Sequence, residues 1–435
     1  MADGQMKAQG LARPAFGDLV ATFAKIGVLS FGGAAGQIAM MHRIVVEEKR
    51  WLDEPRYLHA LNYCMLLPGP EAQQLATYVG WLTHGVRGGL AAGLLFILPG
   101  AALMLALSML YVLGAGLTLV EGVFFGVKAA VLAIVAQALI KIARRGLKGP
   151  GLAALAFAAF AAMMFLDLPF PLVVIGAGVV GALLAAPADR AAEPAPPQAA
   201  GAAGAAARAA AWCLAVWWAP VALAALALGP GHVLVEIGLF FSQLAVLSFG
   251  GAYAVLAWLA QAGVERGWAD AAEMIDGLGL AETTPGPTIL VTQFVAFLGG
   301  LKAGGLGLAA AAALMALWTT FAPSFLWIFA GAPFVEDLRA SRRLAGALTG
   351  VTAAVVGVIG FVALWFALNV LFGAVDFVGF GPLRLPTVDL AGLDLAAAAL
   401  AALAGALIFR FGWGVMATVG LLAALGVAAQ ALGLT

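Results

Sequence analysis

Lys25 and Lys128 stand out chemically, because each lies inside an apolar stretch. A charge within a bilayer costs ~2.5–3.5 kcal/mol on insertion scales, so an intramembrane lysine is expected to serve an anion or a buried carboxylate. Lys25 has the alternative of snorkelling to an interface. Lys128 has the alternative of pairing with Glu121, seven residues earlier. Glu71 and Glu282 lie beside two Pro-Gly-Pro triplets. Each is expected either to face a helix N-terminus as a counter-charge or to act as a protonatable coupling group. Other chemistry is poorly provided for. His42, His59, His84 and His232 are scattered without metal-ligand spacing, and no Ser/His/Asp set or carboxylate pair is present. Cys64 and Cys213 read as small buried hydrophobes. No metal, cofactor or catalytic residue is expected, and there is no P-loop. Gly176 to Gly181 match the dinucleotide-binding pattern, but inside an unbroken apolar run. They read as a small-residue helix-packing face.

The elements that position these residues follow from composition. Of 435 residues, 64% are hydrophobic and 10% charged, with 22 basic and 22 acidic side chains. A soluble domain carries roughly 25% charged residues. A soluble enzyme is therefore excluded, and long apolar stretches indicate an all-α polytopic membrane protein in a lipid bilayer. The alternating strands of a β-barrel are not visible. The N-terminus shows no short apolar region with a cleavage site, so the first apolar stretch is expected to stay in the mature protein.

The chain is duplicated. Leu29-Ser30-Phe31-Gly32-Gly33-Ala34 recurs as Leu247-Ser248-Phe249-Gly250-Gly251-Ala252, 218 residues on, and Pro68-Gly69-Pro70 as Pro285-Gly286-Pro287, 217 on. Gly88-Gly89-Leu90 returns as Gly304-Gly305-Leu306, and Pro99 matches Pro323. Residues 1–186 form a first repeat, 187–211 an Ala/Pro-rich linker, 212–230 an unduplicated helix and 231–435 a second repeat. Each repeat has two broken apolar elements, followed by four long helices. In the first half these helices lie near 88–113, 118–142, 151–166 and 170–186; in the second, near 303–331, 344–372, 388–409 and 413–434.

The first broken element runs from about 15 to 46 and the second from about 54 to 84, whereas one straight crossing takes ~20 residues. Two half-length helices meeting inside the membrane fit better, interrupted by Gly32-Gly33 and by prolines that lack an N–H. Pro70 and Pro287 are expected at the first position of the following half-helix. Half-helices starting near Gly33, Pro70, Gly251 and Pro287 would bring four positive dipole ends to one anion site. Broken helices in matching positions of two halves point to the binding site of a secondary transporter.

Charge placement indicates inverted repeats. Lys141, Arg144, Arg145 and Lys148 follow the second long helix of the first half, whereas Arg339, Arg342 and Arg343 precede its counterpart. With the broken elements as re-entrant hairpins, nearly all basic residues fall inside and only Arg266, Lys302 and Arg384 outside; were every broken element to cross fully, more would fall outside but the repeats would still be inverted. The N-terminus is then cytoplasmic. The basic residues follow topology, so no nucleic-acid partner is expected.

With both motif pairs in hand, the chain resembles the chromate ion transporter (CHR) family in its long, two-domain form. The stretches Pro68-Gly69-Pro70-Glu71-Ala72-Gln73-Gln74-Leu75-Ala76-Thr77-Tyr78 and Glu282-Thr283-Thr284-Pro285-Gly286-Pro287-Thr288 carry the resemblance. It implies efflux of chromate from the cytoplasm and chromate resistance, with sulfate as a related oxyanion. The alternatives are uptake or exchange of sulfate or another oxyanion, and more remotely a membrane-embedded enzyme or assembly scaffold. The expected binding residues are Lys128, Lys25, Ser30, Gly32, Gly33, Pro70, Glu71, Gln74, Ser248, Gly250, Gly251, Thr284, Pro287 and Thr288. Glu71 and Glu282 are the coupling candidates.

Overall fold

The computed structural model describes residues 14–184, 202–249, 252–332, 342–373 and 375–433. Gly250, Gly251, linker residues 187–201 and the basic residues Lys7, Arg13, Arg190 and Arg339 lie outside the described residues.

The chain runs through α1 (Phe16–Leu29), α2 (Gly33–His42, continued by a π-helical turn Arg43–Glu48), α3 (Glu54–Cys64), α4 (Glu71–Leu113), α5 (Thr118–Gly146), α6 (Pro150–Leu166) and α7 (Phe170–Leu184). It continues with α8 (Ala202–Leu228), α9 (Val233–Leu247), α10 (Ala252–Glu265), α11 (Ala271–Thr283), α12 (Val291–Gly331) and α13 (Arg342–Phe372). A hairpin of β1 (Val375–Phe380) and β2 (Leu383–Val388) precedes α14 (Leu395–Gly405) and α15 (Val415–Ala431). Among the described residues, five helices are long and apolar enough to cross a membrane. Leu226, Leu183 and Trp212 are 86%, 79% and 74% exposed. Such outward-facing apolar side chains need lipid as their solvent. The chain is a multi-pass helical membrane protein.

Two boundaries differ from expectation. The helix expected from 212 begins at Ala202, because the preceding alanine run has the highest helix propensity. The helix expected over 388–409 starts at Leu395, because an antiparallel hairpin that sequence reading did not include occupies 375–388. Phe380 pairs with Leu383 across a two-residue loop. Gly381 supplies the positive φ (62°) that such a loop requires at its first position.

The fold divides into two compact units, and each draws on both halves of the sequence. One contains Met1–Leu105, Ala188–Ala252 and Thr284–Ser341; the other contains Ala106–Pro187, Tyr253–Thr283 and Arg342–Thr435.

In the first unit, Leu19, Phe23 and Ile26 of α1 pack with Met41 of α2, Tyr57 and Tyr63 of α3, Leu75 and Val79 of α4, and Ile328 of α12. Asp18 at the start of α1 and Lys49 just past the end of α2 form an ion pair at 2.8 Å. Two helices that together crossed the bilayer would hold those ends apart. The first broken element is therefore a hairpin with its tip at Ser30–Gly33. The second is also a hairpin. Ser324 lies beside its tip at Gly69, whereas Gly331, further along α12, faces the Tyr63 hydroxyl of the incoming leg. Phe329 in turn lies against Gly89, which also faces the Thr77 carbonyl of the outgoing leg. Both legs thus leave the tip in one direction.

α4 reverses at His84 (φ −134°, ψ 22°) and Gly85 (φ 61°, ψ −149°), so that the Gly80 and Gly88 backbones touch. Its 43 residues are two antiparallel helices. α12 reverses likewise at Gly304 and Gly305, placing Gly300 against the Leu308 carbonyl. The letter match between Gly88-Gly89 and Gly304-Gly305 therefore pairs packing glycines with turn glycines. A short 3₁₀ turn, Thr288–Leu290, precedes only α12, and it shifts the register of the second half.

In the second unit, α5 crosses α15 where Gly122, Gly126 and Gly426 bring backbones into contact. α7 crosses α13 through Gly181 and Gly350. Of the dinucleotide-like run, Gly181 is the packing residue. Gly178 touches Val351, and Gly176 faces open space.

Candidate functional site

The breaks meet crosswise. Gly286 donates its N–H to the Ser30 carbonyl at 2.9 Å, and Gly69 donates to the Ser248 carbonyl at 3.0 Å. Ser30 corresponds to Ser248 and Gly69 to Gly286, so each serine break is tied to the Pro-Gly-Pro break of the other half. Gly69 (φ 115°) and Gly286 (φ 96°) hold left-handed backbone that leaves these N–H groups free to turn outward. The Gln37 amide bridges the first junction, donating to the Ser30 carbonyl (3.1 Å) and to the Gly286 carbonyl (2.6 Å). At the second junction Gln74 donates to the Pro68 carbonyl at 2.6 Å, next to Ser324. These residues are buried, and the Gln37 and Gln74 carbonyl oxygens and the Ser324 hydroxyl have no hydrogen-bond partner among the described residues.

This geometry reassigns several expected donors. The Ser30 hydroxyl donates to the Gly27 carbonyl (3.0 Å) and accepts from Gly286; the Ser248 hydroxyl donates to the Ala245 carbonyl (2.9 Å). In this state both serines lock the breaks and have no proton left for a ligand. Pro70 and Pro287 sit one place before the expected first helical position, at the cap, where their carbonyls accept from Gln74 and Leu290. The reason is that both residues keep extended or loop backbone at the break. The N-terminus of α2 is different. Gly32 (φ 87°) caps it with no side chain, and Thr288 Oγ1 lies 4.0 Å from the position a Cβ would take on Gly33. Gly33 and Thr288, from opposite halves, are thus brought together. Thr284 is buried nearby in sequence, Glu71 is half-buried in the first turn of α4, and Lys25 is exposed on α1.

Lys128 belongs to a separate cluster in the second unit. Its Nζ lies 3.3 Å from Asp276 Oδ2 on α11, and the Tyr111 hydroxyl donates to the same oxygen at 3.0 Å. The expected partner Glu121 instead accepts from Gln430 at 3.4 Å. Lys128 faces a cavity of about 400 Å³. Glu282 is buried and accepts a hydrogen bond from Tyr253 at 2.8 Å. Sequence reading missed Asp276, Tyr111, Gln37 and Ser324. For Asp276 a signal existed, an acid within the apolar run Met274–Ala281.

A multi-pass helical protein with paired interior helix breaks and a half-buried lysine–aspartate pair on a cavity has the build of a membrane transport protein. The chain belongs to the chromate transporter family, whose model matches residues 17–182 and 235–428. It is 33% identical over 347 residues to a chromate transport protein of Pseudomonas aeruginosa, covering 79% of each chain. It is 32% identical over 342 residues to a chromate transport protein of Cupriavidus metallidurans, covering 78% of this chain and 80% of that one. An uncharacterized transporter of Methanocaldococcus jannaschii is 24% identical over 351 residues, 80% of this chain and 84% of the relative. No solved structure matches the chain.

Proposed function

We propose that this protein exports chromate across a bacterial-type cytoplasmic membrane and thereby confers chromate resistance. The observation that carries this reading is the family match over both halves of the chain, together with relatives named for chromate transport. The residues supply a fitting chemistry. Lys128 provides an intramembrane positive charge, and the uncapped α2 N-terminus at Gly33, beside Thr288, provides backbone N–H groups. An inside-negative membrane potential drives an anion outward by ~2.3 kcal/mol per charge per 100 mV, and a dianion by twice that. Potential or exchange therefore suffices as the energy source. In this reading the repeats are inverted in topology, the N-terminus is cytoplasmic, and Glu71 and Glu282 are the carboxylates placed to couple.

Radiolabelled chromate uptake into everted vesicles, with sulfate as competitor, tests the proposal. Chromate accumulation that collapses with the membrane potential supports export. Sulfate accumulation without chromate flux, or uptake only in right-side-out vesicles, overturns it in favour of another oxyanion or the opposite direction.

A further inference from the structure

The Lys128 ammonium is 27% exposed, and it is the one cation among the described residues lining its cavity. The two acids lining that cavity, Asp270 and Asp394, are held elsewhere, and Asp276 lies off the lining, behind Lys128. Asp270 and Glu273 cap the start of α11 reciprocally, each accepting the other's backbone N–H at 2.8 Å. Asp394 accepts the Ala397 N–H at 2.8 Å and caps α14. Asp276 is built differently. It is 2% exposed, its Oδ2 takes both Lys128 and Tyr111, and its Oδ1 has no hydrogen-bond partner among the described residues. A carboxylate so placed occupies the position an incoming anion needs, because one ammonium cannot fully neutralise two anionic groups in a low-dielectric site.

We propose that the Asp276 carboxylate is a tethered competitor for Lys128, displaced by the transported oxyanion, and that protonation of Asp276 opens the site. This rests on the oxyanion reading above. A proton from the bulk solvent goes onto the Asp276 carboxylate, Lys128 is left paired with no other anion, and the site becomes more positive by one charge as the anion arrives. Proton and anion therefore bind together. The ionisable groups facing Asp276 are Lys128 from α5, Tyr111 from α4 and Asp270 at the cap of α11; Glu273, in the first turn of α11, faces Tyr111, and Asp394, at the cap of α14, lines the cavity that Lys128 faces. α15, which also packs on α11, carries no ionisable side chain, and α13 contributes Asn369 to the cavity.

Binding of radiolabelled sulfate to the purified full chain, from about pH 5.5 to about 8.5, reads this directly, because sulfate keeps one charge state there. The wild type is expected to bind more tightly as pH falls, approaching tenfold per unit. Asp276→Asn is expected to bind at the alkaline end roughly tenfold more tightly than wild type and to lose the pH dependence. Tyr111→Phe removes a donor that favours the ionised carboxylate, so its binding transition moves to higher pH. Chromate binding at about pH 8.5 gives the same order of variants. An Asp276→Asn protein that is folded but binds more weakly than wild type at every pH makes Asp276 a structural counter-ion and overturns the proposal. If Asp276→Asn does not fold, an unmoved transition in Tyr111→Phe overturns it. Oxyanion binding with unaltered pH behaviour defeats this inference alone, whereas a wild type that binds neither oxyanion defeats the transport reading as well.

Discussion

Gly286 donates its backbone N–H to the Ser30 carbonyl across 256 residues of chain, and Gly69 repeats the bond with Ser248. The two breaks of each half are thereby completed by the other half. Backbone that could not survive facing lipid finds its partners inside protein. Each such bond contributes about 1 kcal/mol net, and an unmade one would cost about 1–3 kcal/mol.

Gly69→Ala and Gly286→Ala should each destabilise the fold by about 1–3 kcal/mol, because both positions have positive φ. A Cβ on Gly69 would also come within 2.8 Å of the Gln74 amide nitrogen. Thermal unfolding of the detergent-solubilised protein measures the effect. Unchanged melting of both variants would mean that the crossed junctions do not constrain the fold.

The Asp18–Lys49 pair makes a topological prediction. Single cysteines at Asp18 and Lys49, in a background lacking Cys64 and Cys213, should both react with a membrane-impermeant maleimide from the same side. Under the proposed topology that side is the cytoplasm. Together, the two cysteines should form a disulfide on oxidation. Labelling from opposite sides would establish a full crossing and refute the hairpin.

Lys128→Leu should destabilise the protein by about 3 kcal/mol at alkaline pH, where Asp276 is left ionised and buried without its counter-charge, and by less as pH falls and the carboxyl takes up a proton. The double variant Lys128→Leu/Asp276→Leu should recover most of that loss while failing to transport oxyanion. Melting temperature and vesicle flux, measured together, separate the two contributions. A double variant no more stable than Lys128→Leu alone would show that the pair is not the source of the loss.

By itself the sequence determined the membrane class, the four breaks and most helix positions. These follow from local properties: low charge content, apolar length, and prolines and glycines that interrupt a helix wherever they stand. It also marked Lys128, because a lysine in an apolar run is anomalous without reference to anything else. What it could not determine was partnership. Asp276 stands out as an acid in an apolar run, but it lies 148 residues from Lys128, and nothing local pairs it with that lysine in preference to Glu121 on the lysine's own helix. Ser30 reads locally as a hydroxyl donor, yet the fold spends that hydroxyl on Gly27 and Gly286. The reversals at Gly85 and Gly305 were equally hidden, because a glycine within an apolar run looks the same whether it turns the chain or packs against it. The tertiary structure decided these points, since hydrogen-bond and ion-pair partners are set by which segments come within about 3 Å of one another.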